Sequence, residues 1–128
     1  MLYLRSAIPE ADVPRAANPV FQHLLDTYAS ETNKVIAVWR CFSPEDLDFR
    51  PHAKSSTVGD IFKHQLLSER RFFGEFVGTP EPAATDILPP TLTIAACADR
   101  MLDLAYPRLH FFSGQTALHS QKCVNMFL

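Results

Sequence analysis

The stretch TVGDIFKHQLLSERRFFGEFV, residues 57–77, decides the fold. It holds nine large apolar residues, and their recurrence matches a helix that turns about 100° per residue. With Ile61 at 0°, Phe72, Val58, Phe76, Phe62, Phe73, Leu66 and Val77 fill an arc from about 20° to 160°. Gln65, at about 40°, and Glu69, at about 80°, fall inside that arc. His64 falls near 300°, just beyond its edge, with Ser68 beside it at about 340°. An ionised carboxylate in an apolar arc needs a partner, which makes Glu69 the odd residue. Two arrangements are open on pattern alone. Gln65 and Glu69 reach the bundle end or bond a third helix while His64 stays at the surface, or these polar groups form half of a binding site.

Upstream, Asn18-Pro19 has the form of a helix start: an asparagine cap, then proline where its missing N–H costs nothing. Val20, Phe21, Leu24, Leu25, Tyr28, Val35, Ile36, Trp39 and Phe42 follow at helical spacing and make one continuous face. Gln22, Asp26, Ser30, Asn33 and Arg40 occupy the other. The period breaks at Ser43-Pro44 and Pro51, and a short turn is expected over residues 44–47. The second helix is expected from Ser56 or Thr57, where Asp60 completes a capping box, to Val77, before Gly78.

Downstream, GTPEPAATDILPP, residues 78–90, carries four of the ten prolines and reads as an extended crossing loop. A third helix is expected from Thr91 or Thr93, with Ile94, Cys97, Ala98, Met101, Leu102, Leu104 and Ala105 on its apolar side. Pro107 cannot donate to the Asp103 carbonyl, so this helix is expected to kink or stop there. In residues 110–128, Gly114 is a break, and a short fourth helix is one reading. Residues 1–17, with two prolines and no sustained period, read as an arm preceding a single domain over 18–128. Three amphipathic helices and no strand pattern specify an all-α domain, best buried as an antiparallel bundle.

The composition fits this. Hydrophobic residues make up 47% and charged residues 20% of the 128, with a net charge of -2. That balance carries no electrostatic footprint for nucleic acid or anionic membrane. No apolar run approaches the roughly 20 residues of a membrane span. Arg5, Glu10 and Asp12 interrupt the N-terminus too early for a secretory signal, so a cytoplasmic location is expected. Cys41, Cys97 and Cys123 are odd in number without C-x-x-C spacing, which argues for small buried thiols rather than disulfides. His23 lies on the first helix's polar face and His52 in a loop. His110 and His119 stand nine apart, not at the i, i+4 spacing of two ligands on one helix face.

NPVFQHLLDTYASETNKVIAVWR and LDFRPHAKSSTVGDIFKHQLLSERRFFGEFVGTPEP together resemble the DinB-like family of bacterial four-helix bundles, over roughly residues 18–109 and most specifically around His64. Members include metal-dependent enzymes of hydrolase type and thiol-dependent S-transferases acting on small molecules. The resemblance implies that His64 is a ligand to a divalent metal, zinc or nickel, from the second helix, with two further histidines four apart on a fourth. Three imidazoles and an open position let a metal activate water or a thiol. Glu69 is placed by spacing to orient a ligand. The H-x-x-x-H pair has no counterpart in residues 110–128. The expectation is therefore a truncated or frame-shifted product with an incomplete metal site and a missing or atypical fourth helix. The groove so exposed, several hundred Å² in order of magnitude, would be filled by residues 110–128 or by a homodimer. A non-catalytic module that self-associates or binds a partner through that groove is the alternative reading.

Overall fold

The computed structural model describes residues 7–115, which contain three long helices and no strand. Helix α1 spans Pro19–Trp39, with the Asn18 side chain accepting from the Phe21 amide. Helix α2 spans Val58–Phe72, closed at its start by the Thr57/Asp60 capping box. It continues into a wider π turn, Phe73–Val77, which stops at Gly78 with φ 88°. The carbonyl of Phe73 accepts from both Gly78 N and Thr79 N, at 2.8 and 3.0 Å. Helix α3 spans Ile94–Ser113, capped by Thr93. A 3₁₀ turn over Pro44–Asp48 lies in the first connection, and Gly59 lets it approach α2. A Cβ at Gly59 would lie 3.1 Å from the Leu47 carbonyl oxygen and 3.0 Å from Leu92 Cδ2.

The clusters of buried side chains give the directions of the helices. Ile36 and Trp39, late in α1, pack with Val58 and Phe62, early in α2, and with Cys97, Ala98 and Met101, early in α3. Leu25 and Ala29, early in α1, pack with Ala105 and Leu109, late in α3. Tyr28 meets Phe73 and Phe112. Helix α1 is thus antiparallel to both others, while α2 and α3 run parallel. A parallel pair cannot be joined by a tight turn, which is why the proline-rich segment 78–93 has to travel the length of the bundle. It is pinned on the way by Ile87, which is fully buried. The antiparallel arrangement expected for all neighbours therefore holds for two of the three pairs.

Two further expectations change. Helix α3 passes through Pro107 to Ser113 without stopping. Pro107 and Asp103 are both exposed, so the carbonyl that loses its amide partner lies on the wet side of the helix, where water can replace it. The N-terminal arm is also no loose lead-in. It forms a 3₁₀ turn at Glu10–Asp12, and Ile8 is 1% exposed against Leu25, Ala29 and Leu109. The arm is held by the polar face of α1. Asn33 accepts from Ile8 N at 2.7 Å through Oδ1 and donates to Ile8 O at 3.1 Å through Nδ2, pairing with the backbone as a strand would. Gln22 accepts from Ala16 N at 2.8 Å. Tyr106 donates to Asp12 at 2.7 Å.

Two outcomes follow. Asn33→Ala leaves the amide and carbonyl of Ile8 without partners in a part-buried setting, and stability in urea should fall by about 1–3 kcal/mol, with faster proteolysis of the arm. Hydrogen bonds from Thr57, side chain first and backbone second, hold the Asp60 carboxyl below its usual value. A carboxyl lowered in the folded state stabilises above its unfolded value, and that contribution disappears as pH falls through the lowered one. An NMR titration of Thr57→Ala should show the Asp60 transition moving up toward the ordinary carboxylate range.

Candidate functional site

Two groups of polar residues carry chemistry, and α2 contributes to both from different sides. His64 is exposed, and its Nε2 lies 3.1 Å from Ser68 Oγ one turn along the same helix. Ile61, on the same side, is 55% exposed. The orientation of this face follows from the core. Trp39 stacks on Phe62 with ring centroids 4.4 Å apart, across the antiparallel α1–α2 pair. The residues that precede them, Val38 and Ile61, therefore turn to one common side of the pair, the side opposite α3. Val38 is 41% exposed there. His64 belongs to this uncovered flank and not to the interior, so the imidazole does not turn toward the bundle axis.

Of the other histidines, His23, His52 and His110 are exposed, and the His52 ring accepts from Lys54 N at 3.1 Å through Nδ1. His119 lies outside the described residues, as does Cys123. Among the described residues, no three His, Cys, Asp or Glu side chains come together as a metal-binding group. A single imidazole offers one bond to a metal that takes four, so the described residues do not fit a complete site. Cys97 is buried as expected, and burial pushes its thiol up. Cys41, two residues past the end of α1, is exposed instead.

The interior group is built around a residue that sequence reasoning passed over. Arg108 is 0% exposed. Its Nη1 donates to Glu69 Oε1 and to the Tyr28 hydroxyl at 3.1 and 3.2 Å. Its Nε donates to Glu81 Oε1 at 3.1 Å, and Nη2 donates to the same oxygen. The guanidinium carbon sits 4.6 Å over the Phe73 ring. Each carboxylate has a further donor: Gln65 Nε2 to Glu69 at 2.6 Å, and Thr79 Oγ1 to Glu81 at 2.7 Å. One guanidinium thus joins α1, α2, the crossover and α3. Burial pulls its pKa down, but hydrogen bonding to Glu81 and the Tyr28 and Glu81 fields outweigh that and leave it raised. Burial pushes the Tyr28 hydroxyl up, opposed by Arg108.

This cluster answers the question posed by Glu69, whose side chain is 20% exposed and ion-paired to α3. The signal that would have found Arg108 is its phase. It stands seven residues after Met101 and four after Leu104, on the buried stripe of α3, provided the helix is carried past Pro107. Glu81 has no such signal, since it comes from irregular backbone. A separate open cleft of about 500 Å³ lies between the arm and α1, lined by Glu10, Arg15, Asp26 and Asn33 among others. It contains neither His64 nor Arg108.

Arg108→Met strips the counter-charge from the enclosed Glu81 carboxylate and the part-buried Glu69 and should cost about 3–5 kcal/mol in urea denaturation. Replacing the whole trio by Arg108→Met, Glu69→Leu and Glu81→Leu should regain most of that loss, because the charges go together.

No family model matches the chain, and no curated protein or solved structure matches it.

Proposed function

We propose that the chain is a DinB-like helical bundle protein whose working surface is the uncovered flank of α1 and α2, with His64 there as one ligand for a divalent zinc or nickel ion. What supports this reading is the resemblance around His64, together with the accessibility of that imidazole to a metal from solvent. A histidine on such a flank can take part in a site between α2 and a further element laid along it. In the neutral ring one nitrogen keeps a lone pair; when Nε2–H donates to Ser68, Nδ1 is the one left for a metal. Hydrolase or thiol-transfer chemistry on a small molecule belongs to the complete ligand set that the resemblance implies. The described residues contribute one member of it, so no reaction step is assigned to them.

The exposure of Val20, Leu24, Val38 and Ile61, at 69, 39, 41 and 55%, favours a second reading. These side chains are large and apolar, and on it the protein is a non-catalytic module that pairs with a second copy or another protein. A titration of the full chain with zinc or nickel separates the two. Stoichiometric binding at micromolar affinity or tighter, abolished by His64→Ala, supports the metal reading. No binding at millimolar metal, together with a dimer whose population rises with concentration, supports the module.

A further inference from the structure

Arg108 has three polar partners, and they are not equivalent. Tyr28 and Glu69 stand on helices, where Gln65 of the same helix also holds Glu69, whereas the further donor to Glu81, Thr79, belongs to the crossover itself. Glu81 stands on the crossover, in a run where Pro80 and residues 82–86 are all exposed. Its side chain is nevertheless 5% exposed. Between the buried Thr79 and the buried Ile87, it is the one side chain of residues 80–86 buried to that degree. Its stem crosses the π turn at Gly74, where a Cβ would stand 3.5 Å from Glu81 Cγ. The segment begins at Gly78, whose φ of 88° is the left-handed conformation that favours glycine. Its remaining bonds to the helices include those to the Phe73 carbonyl and one from Arg70 Nε to Pro82 O at 2.6 Å, on the exposed side.

The guanidinium therefore presents its fork, Nε and Nη2, to a carboxylate supplied by irregular chain, while helices and the Phe73 ring hold its other edge and its face. That is the geometry with which an arginine recognises any carboxylate. We propose that Arg108 is a preformed carboxylate-binding site kept occupied by the chain's own Glu81, and that residues 78–82 are a strap which free carboxylates displace. The ligand class is a small monocarboxylate that can take the place of the Glu81 carboxylate. The two carboxylates around one guanidinium make displacement feasible, because Glu69 alone neutralises Arg108 when Glu81 leaves and the incoming anion restores the original charge. This site is independent of His64 and of any metal.

The test uses the full chain. Glu81→Ala is melted in rising acetate or propionate, against chloride at matched ionic strength and pH. The variant should melt several degrees below the wild type and regain that loss saturably with carboxylate but not with chloride. If it does not fold without Glu81, the same titration should drive folding. In the wild type, the amides of Gly78 and Thr79 should exchange faster in proportion to added propionate, since exchange runs through the open strap that propionate binds. Amides in the middle of α1 should not respond. A Glu81→Ala chain that responds alike to acetate and chloride overturns the proposal, as does wild-type exchange indifferent to propionate.

Discussion

A guanidinium without access to water must find its charge partners and its hydrogen-bond acceptors inside the fold, and Arg108 finds them on every segment that packs around it. Moving such an ion out of water is expensive, and the attraction of two carboxylates offsets that only when the geometry is satisfied throughout. Here it is: none of the buried side-chain nitrogen or oxygen atoms described lacks a partner. The consequence is less a gain in net stability than a constraint on alternatives. If α3 slid by one residue against α2, Arg108 would leave Glu69; if the crossover took another path, Glu81 would be lost. An apolar residue at 108 would tolerate both. Lysine could not take its place, because an ammonium lacks the planar fork that serves Glu81 and Glu69 at once and the flat face that lies on Phe73.

The path of the crossover follows from the same centre. Because α2 and α3 are parallel, segment 78–93 has to return along the bundle, and it is fastened near its start by Thr79 and Glu81 and further on by Ile87. The π turn at the end of α2 contributes by placing Phe73 under the guanidinium and by leaving Gly74 bare for the Glu81 stem. On the opposite side, α1 and α2 are joined by the Trp39–Phe62 stack with Phe42 at its edge. Beyond that stack the pair faces outward. The interior is thus closed by ionic and aromatic contacts, and the flank carrying Val38, Ile61 and His64 is left exposed. No described helix is long and apolar enough to cross a membrane.

Much of the local structure was legible. The Asn18 cap, the Thr57/Asp60 capping box, a third-helix start at Thr91 or Thr93, the breaks at Ser43-Pro44, Gly78 and Gly114, and the phase of α2 are all properties of short stretches. The points left open share one cause, which is that the role of a polar or breaking residue depends on what lies opposite. At Pro107 the local rule allows a kink or a stop; the missing bond falls on the wet side, so α3 runs on and Arg108, one residue later, keeps the phase of the buried stripe. Asn33 falls on the polar face of α1, as its spacing indicates, and that face receives the arm. Glu69 needs a partner by its place in the apolar arc, and a bond to the third helix is one of the arrangements the pattern allows; which residue of α3 supplies it depends on the packing.

What residues 7–115 determine by themselves is the all-α character, the three helices and which stripe of each is apolar, because caps, periodicity and prolines act over a turn or two of chain. The parallel course of α2 and α3, the burial of Arg108 between Glu69 and Glu81, and the outward turn of His64 were decided by tertiary packing. Those features depend on residues 27, 39 and 80 positions apart meeting at one point. A pattern of local hydropathy carries no information about which distant charge will arrive there.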